Sequence, residues 1–275
     1  MECVFGLWYR DVIKFFRDKF TIISSCALPF LFLVVFGSGM GGAIKSLLIG
    51  ANAPEELLKF NFIQYMFPGI ISMAVFTTTM FTGFSIIQDR QIGYLKEVLV
   101  SPVSRVSVAV GKILGCSTAA LIQGILMLVF APFIGISLSV GIIVKIILSI
   151  LLVSFTLSSV SILLASFIKD NQGFTMIVQV VLYPMFFLSG AFFPLYGIPK
   201  WMDIVVRINP MTYIVDFTKR IVLDADKFSP VLKQAMGLNL KVLNHEVTGT
   251  DELILLITMG VLFTIITAWS FSRAE

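Results

Sequence analysis

The chain has 275 residues, of which 57% are hydrophobic and 13% charged, and its mean hydropathy is +0.97. A soluble domain carries roughly 25% charged residues, so this composition excludes a soluble domain and indicates a protein folded in a lipid bilayer. The net charge of +4 does not indicate a nucleic-acid-binding protein, because the basic residues are scattered among the ends of apolar runs.

Residues 1–19 predict an amphipathic helix that lies on the membrane surface. Its apolar residues fall near one side of a helix: Phe5, Trp8, Val12, Phe15 and Phe16. Its charged residues fall largely elsewhere: Arg10, Asp11, Lys14, Arg17 and Asp18. The alternative is a short soluble cap whose charged face is solvated.

Long uncharged runs follow, and each supplies the roughly 20 apolar residues that a helix needs to cross the bilayer. They predict an all-α integral membrane fold of six spans: 20–37, 62–86, 109–133, 142–167, 173–193 and 252–272. We expect Pro29 and Pro184 to kink their spans, because proline removes one backbone hydrogen bond of a helix. No repeat or second domain is evident, so residues 1–275 are predicted to form one transmembrane domain.

The basic residues predict that both termini face the cytoplasm, since cytoplasmic flanks are enriched in Lys and Arg. With this orientation ten of them fall inside: Arg10, Lys14, Arg17, Lys19, Arg90, Lys96, Arg105, Lys112, Lys169 and Arg273. The short outer loops then hold only Lys45, Lys59 and the membrane-edge Lys145. The predicted location is the cytoplasmic membrane, which the chain crosses several times.

The outer segment 194–251 begins with three helix-breaking residues: Pro194, Gly197 and Pro199. Two amphipathic helical patterns follow, one on each side of Asn209-Pro210, and neither is long enough to cross the bilayer. They predict two re-entrant helices that dip into the outer leaflet, where surrounding protein satisfies the irregular backbone. Residues 224–250 are the most polar part and are predicted to form a small outer cap.

Motifs that would make the chain an enzyme are absent from the sequence. His245 is its one histidine, which excludes HExxH and multi-histidine metal sites. No GxxxxGK[ST] motif is present, so any ATP must be bound by another polypeptide. The apolar interiors of the predicted spans contain no Asp or Glu, which weakens the case for an ion-coupled transporter.

Residues 88–105, QDRQIGYLKEVLVSPVSR, form a charged island between two apolar spans. Gly93 can end the preceding helix, YLKEVLV can form a short amphipathic helix, and Ser101-Pro102 can restart the chain. We interpret the segment as a docking surface for a soluble partner that drives movement of the spans. The alternative is a connector that is merely solvated.

Small and hydroxyl-bearing residues recur at helical spacing in the second and fourth predicted spans: Thr77 to Thr79, Ser154, Ser158, Ser161 and Ala165. Close helix packing is the default explanation. A polar strip that lines a substrate path, with Thr77, Thr78 and Ser158 as its candidates, is the alternative.

Two segments carry a family resemblance. QDRQIGYLKEVLVSPVSR and LSGAFFPLYGIPKWMDIVVRINPMTYIVDFTKRIV at 188–222, with the six-span plan, resemble the membrane subunit of ABC-2 type transporters, in the branch of drug-resistance and nodulation-factor export permeases. The most specific match surrounds Asn209-Pro210, Tyr213 and Asp216. The cytoplasmic motif is matched by Gly93, Leu95, Leu99, Ser101 and Pro102, whereas Gln91 and Lys96 stand where the family commonly has acidic residues.

The resemblance implies a permease that pairs with a second permease copy, as a homodimer or a related heterodimer, and with two copies of a separate ATPase that binds ATP and Mg. It implies export of a hydrophobic or lipid-linked compound, a coupling helix within 88–105, a connecting helix at 1–19 and re-entrant helices at 195–222. Gly93 would break the helix, Leu95 and Leu99 would make apolar contacts, and Glu97 a charged one. A non-transporting membrane scaffold and an ion-coupled transporter are the competing hypotheses.

Overall fold

The computed structural model describes residues 2–50, 61–94, 104–136, 139–168, 170–195, 197–225, 228–229, 233, 236–238, 241–242 and 245–273. The described chain is almost entirely helical. Its α-helices are α1 (Glu2–Arg17), α2 (Lys19–Gly50), α3 (Phe62–Gln91), α4 (Arg105–Leu128), α5 (Val140–Phe167), α6 (Asn171–Ile177), α7 (Tyr183–Phe187), α8 (Lys200–Ile208), α9 (Pro210–Val222) and α10 (Gly249–Arg273). A 3₁₀ turn (Pro132–Ile134), a π-helical turn (Val178–Leu182) and two short strands, β1 (Lys241–Val242) and β2 (His245–Glu246), complete the described elements.

Within the described part of the chain, five helices are long and apolar enough to cross a membrane: Lys19–Leu47, Phe62–Gln91, Arg105–Ile134, Val140–Phe167 and Gly249–Ser272. They confirm five of the six predicted spans. The first is longer than predicted, because the helix continues past residue 37 to Gly50 and takes Lys45 out of the predicted loop. Asn61, Ser104 and Ser139 cap the amino ends of α3, α4 and α5.

The predicted span 173–193 is not one long helix. Helical structure runs from Asn171 to Phe187, with the π-helical turn between α6 and α7. Pro184 lacks the N–H that would close a regular α-helical turn, and the wider turn before it accommodates this loss. Gly190 then adopts φ +78°, a conformation that leaves the helical path.

Helix α3 is the centre of the bundle, and its buried residues extend from Phe62 to Asp89. It packs against α2, α4, α5 and α9. Glycines permit the closest approaches: a Cβ added to Gly83 would lie 2.0 Å from Ser161 Oγ, and one added to Gly69 would lie 2.5 Å from the Ala191 carbonyl oxygen. Small residues therefore set the spacing of these helices, as expected in a membrane protein.

The hydroxyl-bearing residues of α5 are buried in the same contacts. Ser161 Oγ donates to the Thr79 carbonyl oxygen at 2.7 Å, and the hydroxyls of Ser154 and Ser117 lie 3.1 Å apart. Their recurrence in the sequence thus reflects close helix packing.

The predicted pair of short helices after the fifth apolar run is present as α8 and α9. Asn209 Oδ1 accepts from the Met211 N–H at 3.0 Å and caps α9, while Pro210 occupies the first helical turn. Val206 is buried, whereas Trp201 and Ile208 on α8 are largely exposed. The depth at which these helices enter a membrane remains a prediction.

Candidate functional site

The connection between α3 and α4 contains the predicted docking segment, and the structure describes both of its ends. Helix α3 ends at Gln91, and Gly93 follows with φ +83°, a left-handed conformation that ends the helix. At the other end Ser104 Oγ accepts from the Ser107 N–H at 3.2 Å. Five predicted coupling residues lie outside the described residues: Leu95, Glu97, Leu99, Ser101 and Pro102.

Five charged residues meet immediately beside this connection, and we call them the Asp89 cluster: Arg10, Asp11, Lys14, Asp89 and Lys112. Asp89 Oδ2 accepts from Arg10 Nη2 at 2.5 Å and from Lys112 Nζ at 2.8 Å. Lys14 Nζ lies 3.7 Å from Asp89 Oδ1. Three helices, α1, α3 and α4, are thereby joined through one carboxylate near the end of α3.

Asp11 is the second carboxylate of the cluster. Its Oδ1 accepts from Arg10 Nε at 3.0 Å, and its Oδ2 lies 3.0 Å from Lys112 Nζ. Lys112 itself is only 1% exposed. A buried ammonium group is tolerated because two carboxylates surround it, and for the same reason removal of any one member would be costly.

Helix α1 reaches Lys112 because glycines on α4 leave room for it. A Cβ added to Gly115 would lie 2.8 Å from Asp11 Cβ, and one added to Gly111 would lie 3.1 Å from Leu7 Cβ. Trp8 Nε1 also donates to Thr118 Oγ1 at 2.9 Å. The helix therefore packs directly on α4 and is not a separate surface element.

This burial corrects one expectation. Asp11 was expected on the charged, solvated side of the amino-terminal helix, and Lys112 at a membrane flank, but both are buried. The sequence signal is the pattern of Gly111, Lys112 and Gly115 on an otherwise apolar helix. Glycines four residues apart indicate a close helix contact, and a charge between them then needs a partner on the approaching helix.

Arg10 links the cluster to the docking segment itself. Its guanidinium carbon lies 4.0 Å from the centre of the Tyr94 ring, a cation–π contact with the first residue after Gly93. Burial lowers the pKa of Arg10, but the carboxylates of Asp11 and Asp89 outweigh burial and raise the pKa above its ordinary value. Arg10 therefore remains charged at every physiological pH.

Further polar contacts tie the ends of the connection to the rest of the bundle. Arg90 donates to the carbonyl oxygens of Ile168 at 3.0 Å and Ser166 at 3.3 Å, at the end of α5. Arg105 Nη1 donates to the Ser272 carbonyl oxygen at 3.0 Å, at the end of α10. Displacement of the connection would thus act on α5 and α10 through these hydrogen bonds, as well as on α3 and α4.

Two cavities open along one face of α3. The first, of about 210 Å³, lies against α6 and the π-helical turn and is lined by Thr77, Met80, Phe81, Phe84, Phe174, Thr175, Val178, Gln179 and Tyr183. The second, of about 250 Å³, lies nearer the Asp89 cluster and is lined by Asp11, Lys14, Phe15, Asp18, Thr21, Phe81, Thr82, Phe84, Ser85 and Gln88. Because Phe81 and Phe84 line both, the cavities adjoin.

Of the candidate path residues, Thr77 faces the first cavity, whereas Thr78 and Ser158 are fully buried and line neither.

The candidate residues of the outer segment lie far from the Asp89 cluster. Asn209 Nδ2 donates to the Met185 carbonyl oxygen at 2.5 Å, and Tyr213 Oη donates to that of Arg207 at 2.6 Å. Asp216 is buried and accepts from Arg220 Nε at 3.0 Å. Pro194 is described, half-buried, in the connection after α7. These residues pack near the first residues of α3, whereas Asp89 lies at its other end.

Comparison with known proteins identifies the family. The profile of the ABC-2 type transporter family matches residues 2–221. The putative transport permease ycf38 of Cyanophora paradoxa is 29% identical over 218 residues, which cover 78% of this chain and 71% of that protein. The daunorubicin resistance ABC transporter permease protein DrrB1 of Streptomyces coeruleorubidus is 24% identical over 222 residues, 78% of this chain and 72% of that protein.

The inner membrane transport permease YadH of Escherichia coli K12 is 24% identical over 216 residues, which cover 76% of this chain and 78% of that protein. The family match spans most of the chain, including α1, both ends of the connection between α3 and α4, α8, and all but the last residue of α9. The chain is therefore a multi-pass membrane protein of the ABC-2 type transporter family, a transport permease subunit of the kind that pairs with an ABC ATPase.

Proposed function

We propose that this chain is the membrane-spanning half of an ATP-driven exporter of hydrophobic or lipid-linked compounds. A separate ATPase docks on the connection between α3 and α4, and two permease copies pair with two ATPase copies. ATP and Mg are bound by the ATPase and not by this chain. In this arrangement the α1 end of the bundle faces the cytoplasm, in accord with the Lys and Arg that flank it.

The observation that carries this proposal is the Asp89 cluster. A docking loop can transmit force only if its two ends are attached firmly to the spans that must move. Asp89 at the end of α3 and Lys112 near the start of α4 are joined by a buried ion pair of 2.8 Å, and Arg10 attaches α1 to both. A pull on the connection therefore moves three helices together, as coupling requires and as a passive connector does not.

The first of the two cavities along α3 supports the proposed substrate class. Phe81, Phe84 and Phe174 provide apolar surface, and a few polar groups come from Thr77, Thr175, Gln179 and Tyr183. A site of this composition favours a largely apolar molecule with few polar groups. The likeness to a permease named for daunorubicin resistance points to the same class of compound.

The test of docking uses Gly93→Ala in the full chain, expressed with its ATPase. Nothing lies within 4 Å of a Cβ added at Gly93, so the substitution changes only the ease of adopting φ +83°. We expect weaker co-purification of the ATPase, and complete loss on deletion of residues 93–102, while membrane insertion continues. Gly197→Ala is the matched control, because its φ is +74° and it also has open space, but it lies in the connection before α8.

If the deletion variant retained stimulated ATPase activity, the docking proposal would be wrong. Transport is then tested with vesicles that contain both subunits. ATP-dependent movement of an apolar fluorescent compound supports the exporter, whereas ATPase binding without movement of any compound favours a membrane scaffold. Movement driven by an ion gradient in the absence of ATP would favour an ion-coupled transporter.

A further inference from the structure

A second group of charged side chains is buried at the opposite end of α3, and nothing in the proposed function uses it. We call it the Glu252 cluster: Tyr65, Asp216, Lys219, Arg220 and Glu252. It lies where α3, α9 and α10 meet, and Tyr65 is separated from Asp89 by about 36 Å of helix. Glu252 is 0% exposed. The expectation that no Asp or Glu lies inside any predicted span is therefore corrected, because the buried Glu252 is the first residue of the predicted span 252–272 and lies in the first turn of α10.

The hydrogen bonds of this cluster leave Glu252 incompletely satisfied. Arg220 Nε lies 3.0 Å from Asp216 Oδ2 and 3.4 Å from Glu252 Oε2. Arg220 Nη2 instead donates to the carbonyl oxygens of Leu238 and Val247. Among the residues that the structure describes, neither oxygen of Glu252 accepts a hydrogen bond. The Nε–H of Arg220 thus donates to Asp216, and Glu252 lies beside it without accepting from it.

Lys219 does not supply the missing donor to Glu252. Its Nζ donates to the Gly190 carbonyl oxygen at 2.5 Å and lies 3.6 Å from the centre of the Tyr65 ring. Burial lowers the pKa of Lys219 to about 7, although the neighbouring Asp216 opposes this shift. Near neutral pH the lysine is therefore only a partial source of positive charge.

We propose that Asp216 and Glu252 form a proton-binding site. Glu252 holds one exchangeable proton and shares it with Asp216 in a hydrogen bond. Both carboxyl groups are buried beside the same nitrogen, Arg220 Nε, at 3.0 Å for Asp216 and 3.4 Å for Glu252. Two like charges at this separation in a buried site cannot both persist, whereas one proton removes a charge and provides the missing donor. The ligand of the site is thus a proton from the compartment that α9 faces.

Loss of this proton would separate two helices. Asp216 belongs to α9 and Glu252 to α10, so a second negative charge would drive these helices apart. Arg220, which anchors the backbone at Leu238 and Val247, would be drawn toward the ionised pair. The proton therefore closes the α9 end of the permease, and an alkaline medium on that side loosens it.

Other titratable groups face the site and act on it differently. On α9, Tyr213 interacts electrostatically with Glu252. On α10 the neighbouring Asp251 repels Glu252, but its Oδ2 is engaged by the Thr248 N–H and hydroxyl at 2.9 and 2.7 Å. On α3, Tyr65 donates to the carbonyl oxygen of Phe193 at 3.0 Å. Lys219 loses its positive charge as the pH rises, so its deprotonation and that of the carboxyl pair both make the cluster more negative.

The test is infrared difference spectroscopy of the full chain in lipid nanodiscs between pH 5 and pH 9. A protonated buried carboxyl group has a C=O stretch that shifts in D₂O, and Lys219 does not contribute to it. We expect the wild type to show this band at pH 7, Glu252→Gln to lack it, and Asp216→Asn to change the pH at which it disappears. Asp203→Asn is the matched control, since Asp203 is partly exposed and pairs with Arg207, and it should retain the band.

A wild type without the band at pH 7, or a Glu252→Gln variant that keeps it, would overturn the proposal. If the wild type lacked the C=O band and were stabilised by Na⁺, the occupant of the site would be a metal cation, and the proposal of a proton-binding site would be wrong. Glu252→Gln preserves the shape of the side chain and supplies an N–H₂ donor to Asp216, so we expect it to fold; should it fail, Asp216→Asn alone tests the titration. The measurement needs neither ATPase nor substrate, so its outcome is independent of the proposed export function.

Discussion

At the scale of single residues, Lys112 is the most consequential side chain of the Asp89 cluster. Lys112→Met would leave the carboxylates of Asp11 and Asp89 buried with fewer cations around them. Removal of one partner of a buried ion pair costs about 3–5 kcal/mol. We therefore expect the free energy of unfolding in detergent micelles, measured by denaturant titration, to fall by this amount.

The control for this prediction is Lys145→Met, because Lys145 is exposed on α5. Its effect should stay within about 0.5 kcal/mol, as for most surface substitutions. The double variant Asp89→Asn with Lys112→Met should recover part of the loss, since it removes one charge of each sign. An equal loss in Lys112→Met and Lys145→Met would show that the buried pair does not stabilise the fold.

Lys219 gives the stability a defined dependence on pH. Its pKa is about 7 in the folded chain, against about 10.4 for an exposed lysine. Between these values the unfolded chain binds more protons, so the free energy of unfolding rises with pH, by up to about 1.4 kcal/mol per pH unit. This contribution is present above pH 10, and it is lost as the pH falls toward 7.

The measurement is thermal unfolding of wild type and Lys219→Met from pH 6 to pH 10.5. The difference in the free energy of unfolding between the wild type and Lys219→Met should vary with pH at the slope given above. Lys200→Met, at an exposed position, should show the same pH dependence as the wild type. A difference that is constant across this range would contradict a depressed pKa for Lys219.

At the scale of elements, the attachment of α1 to α4 depends on the absence of a side chain at Gly115. Gly115→Ala would place a Cβ 2.8 Å from Asp11 Cβ, and overpacking of this kind costs about 1–3 kcal/mol. We expect α1 to shift away from α4 and the Trp8 to Thr118 hydrogen bond to weaken. Fluorescence of Trp8, in a chain with Trp201 and Trp269 replaced by Phe, reports this displacement.

Gly42→Ala provides the comparison, because an added Cβ at Gly42 meets nothing within 4 Å and the residue lies in regular helix α2. That variant should leave the Trp8 fluorescence unchanged and slightly stabilise the helix. Should Gly115→Ala and Gly42→Ala give the same Trp8 spectrum, the contact between α1 and α4 would not be tight enough to transmit movement.

The helices that the sequence predicts well are those whose apolar residues form one uninterrupted run. Runs of this kind reflect a single physical requirement, which is burial of about 30 Å of helix in hydrocarbon. Five of the six spans that they predict are confirmed. The run at 173–193 satisfies the same requirement in composition but contains Pro184 and Gly190. Proline alone does not interrupt a run, because Pro29 and Pro68 lie inside the continuous helices α2 and α3. Pro184 and Gly190 each require a particular backbone geometry. The conformation of the run also depends on packing against neighbours such as α3, which a local sequence pattern does not contain.

At the scale of the whole molecule, the position of the connection between α3 and α4 is predictable from the sequence, whereas the contacts that attach its ends are not. A charged island between two apolar runs is a local property of residues 88–105. The ion pairs that hold its ends join Asp11, Asp89 and Lys112, which are distant in sequence, and their pairing follows from how α1 crosses α4. The same holds for Asp216 and Glu252, whose proximity depends on the packing of α9 against α10.

The two clusters at opposite ends of α3 permit a test of how the permease works as a unit. Asp89→Asn alters one end of α3, and Glu252→Gln alters the cluster at its other end, where Tyr65 is about 36 Å along the helix from Asp89. Their effects on the free energy of unfolding should therefore add within about 0.5 kcal/mol. Their effects on ATP-driven transport should not add. If α3 transmits force from the docking connection to the α9 end, each variant interrupts the same path, and the double variant should transport no more slowly than the slower single variant.

Asp89→Asn combined with Lys112→Met is the reference pair, because these residues touch and their stability effects should couple. Transport rates are measured in vesicles at equal amounts of bound ATPase, so that loss of docking is not counted as loss of transmission. If the double variant's fractional transport rate equals the product of those of Asp89→Asn and Glu252→Gln, the two ends of α3 act on separate steps. Rates that do not multiply, together with additive stabilities, would establish α3 as the rigid connection between the ATPase and the far side of the membrane.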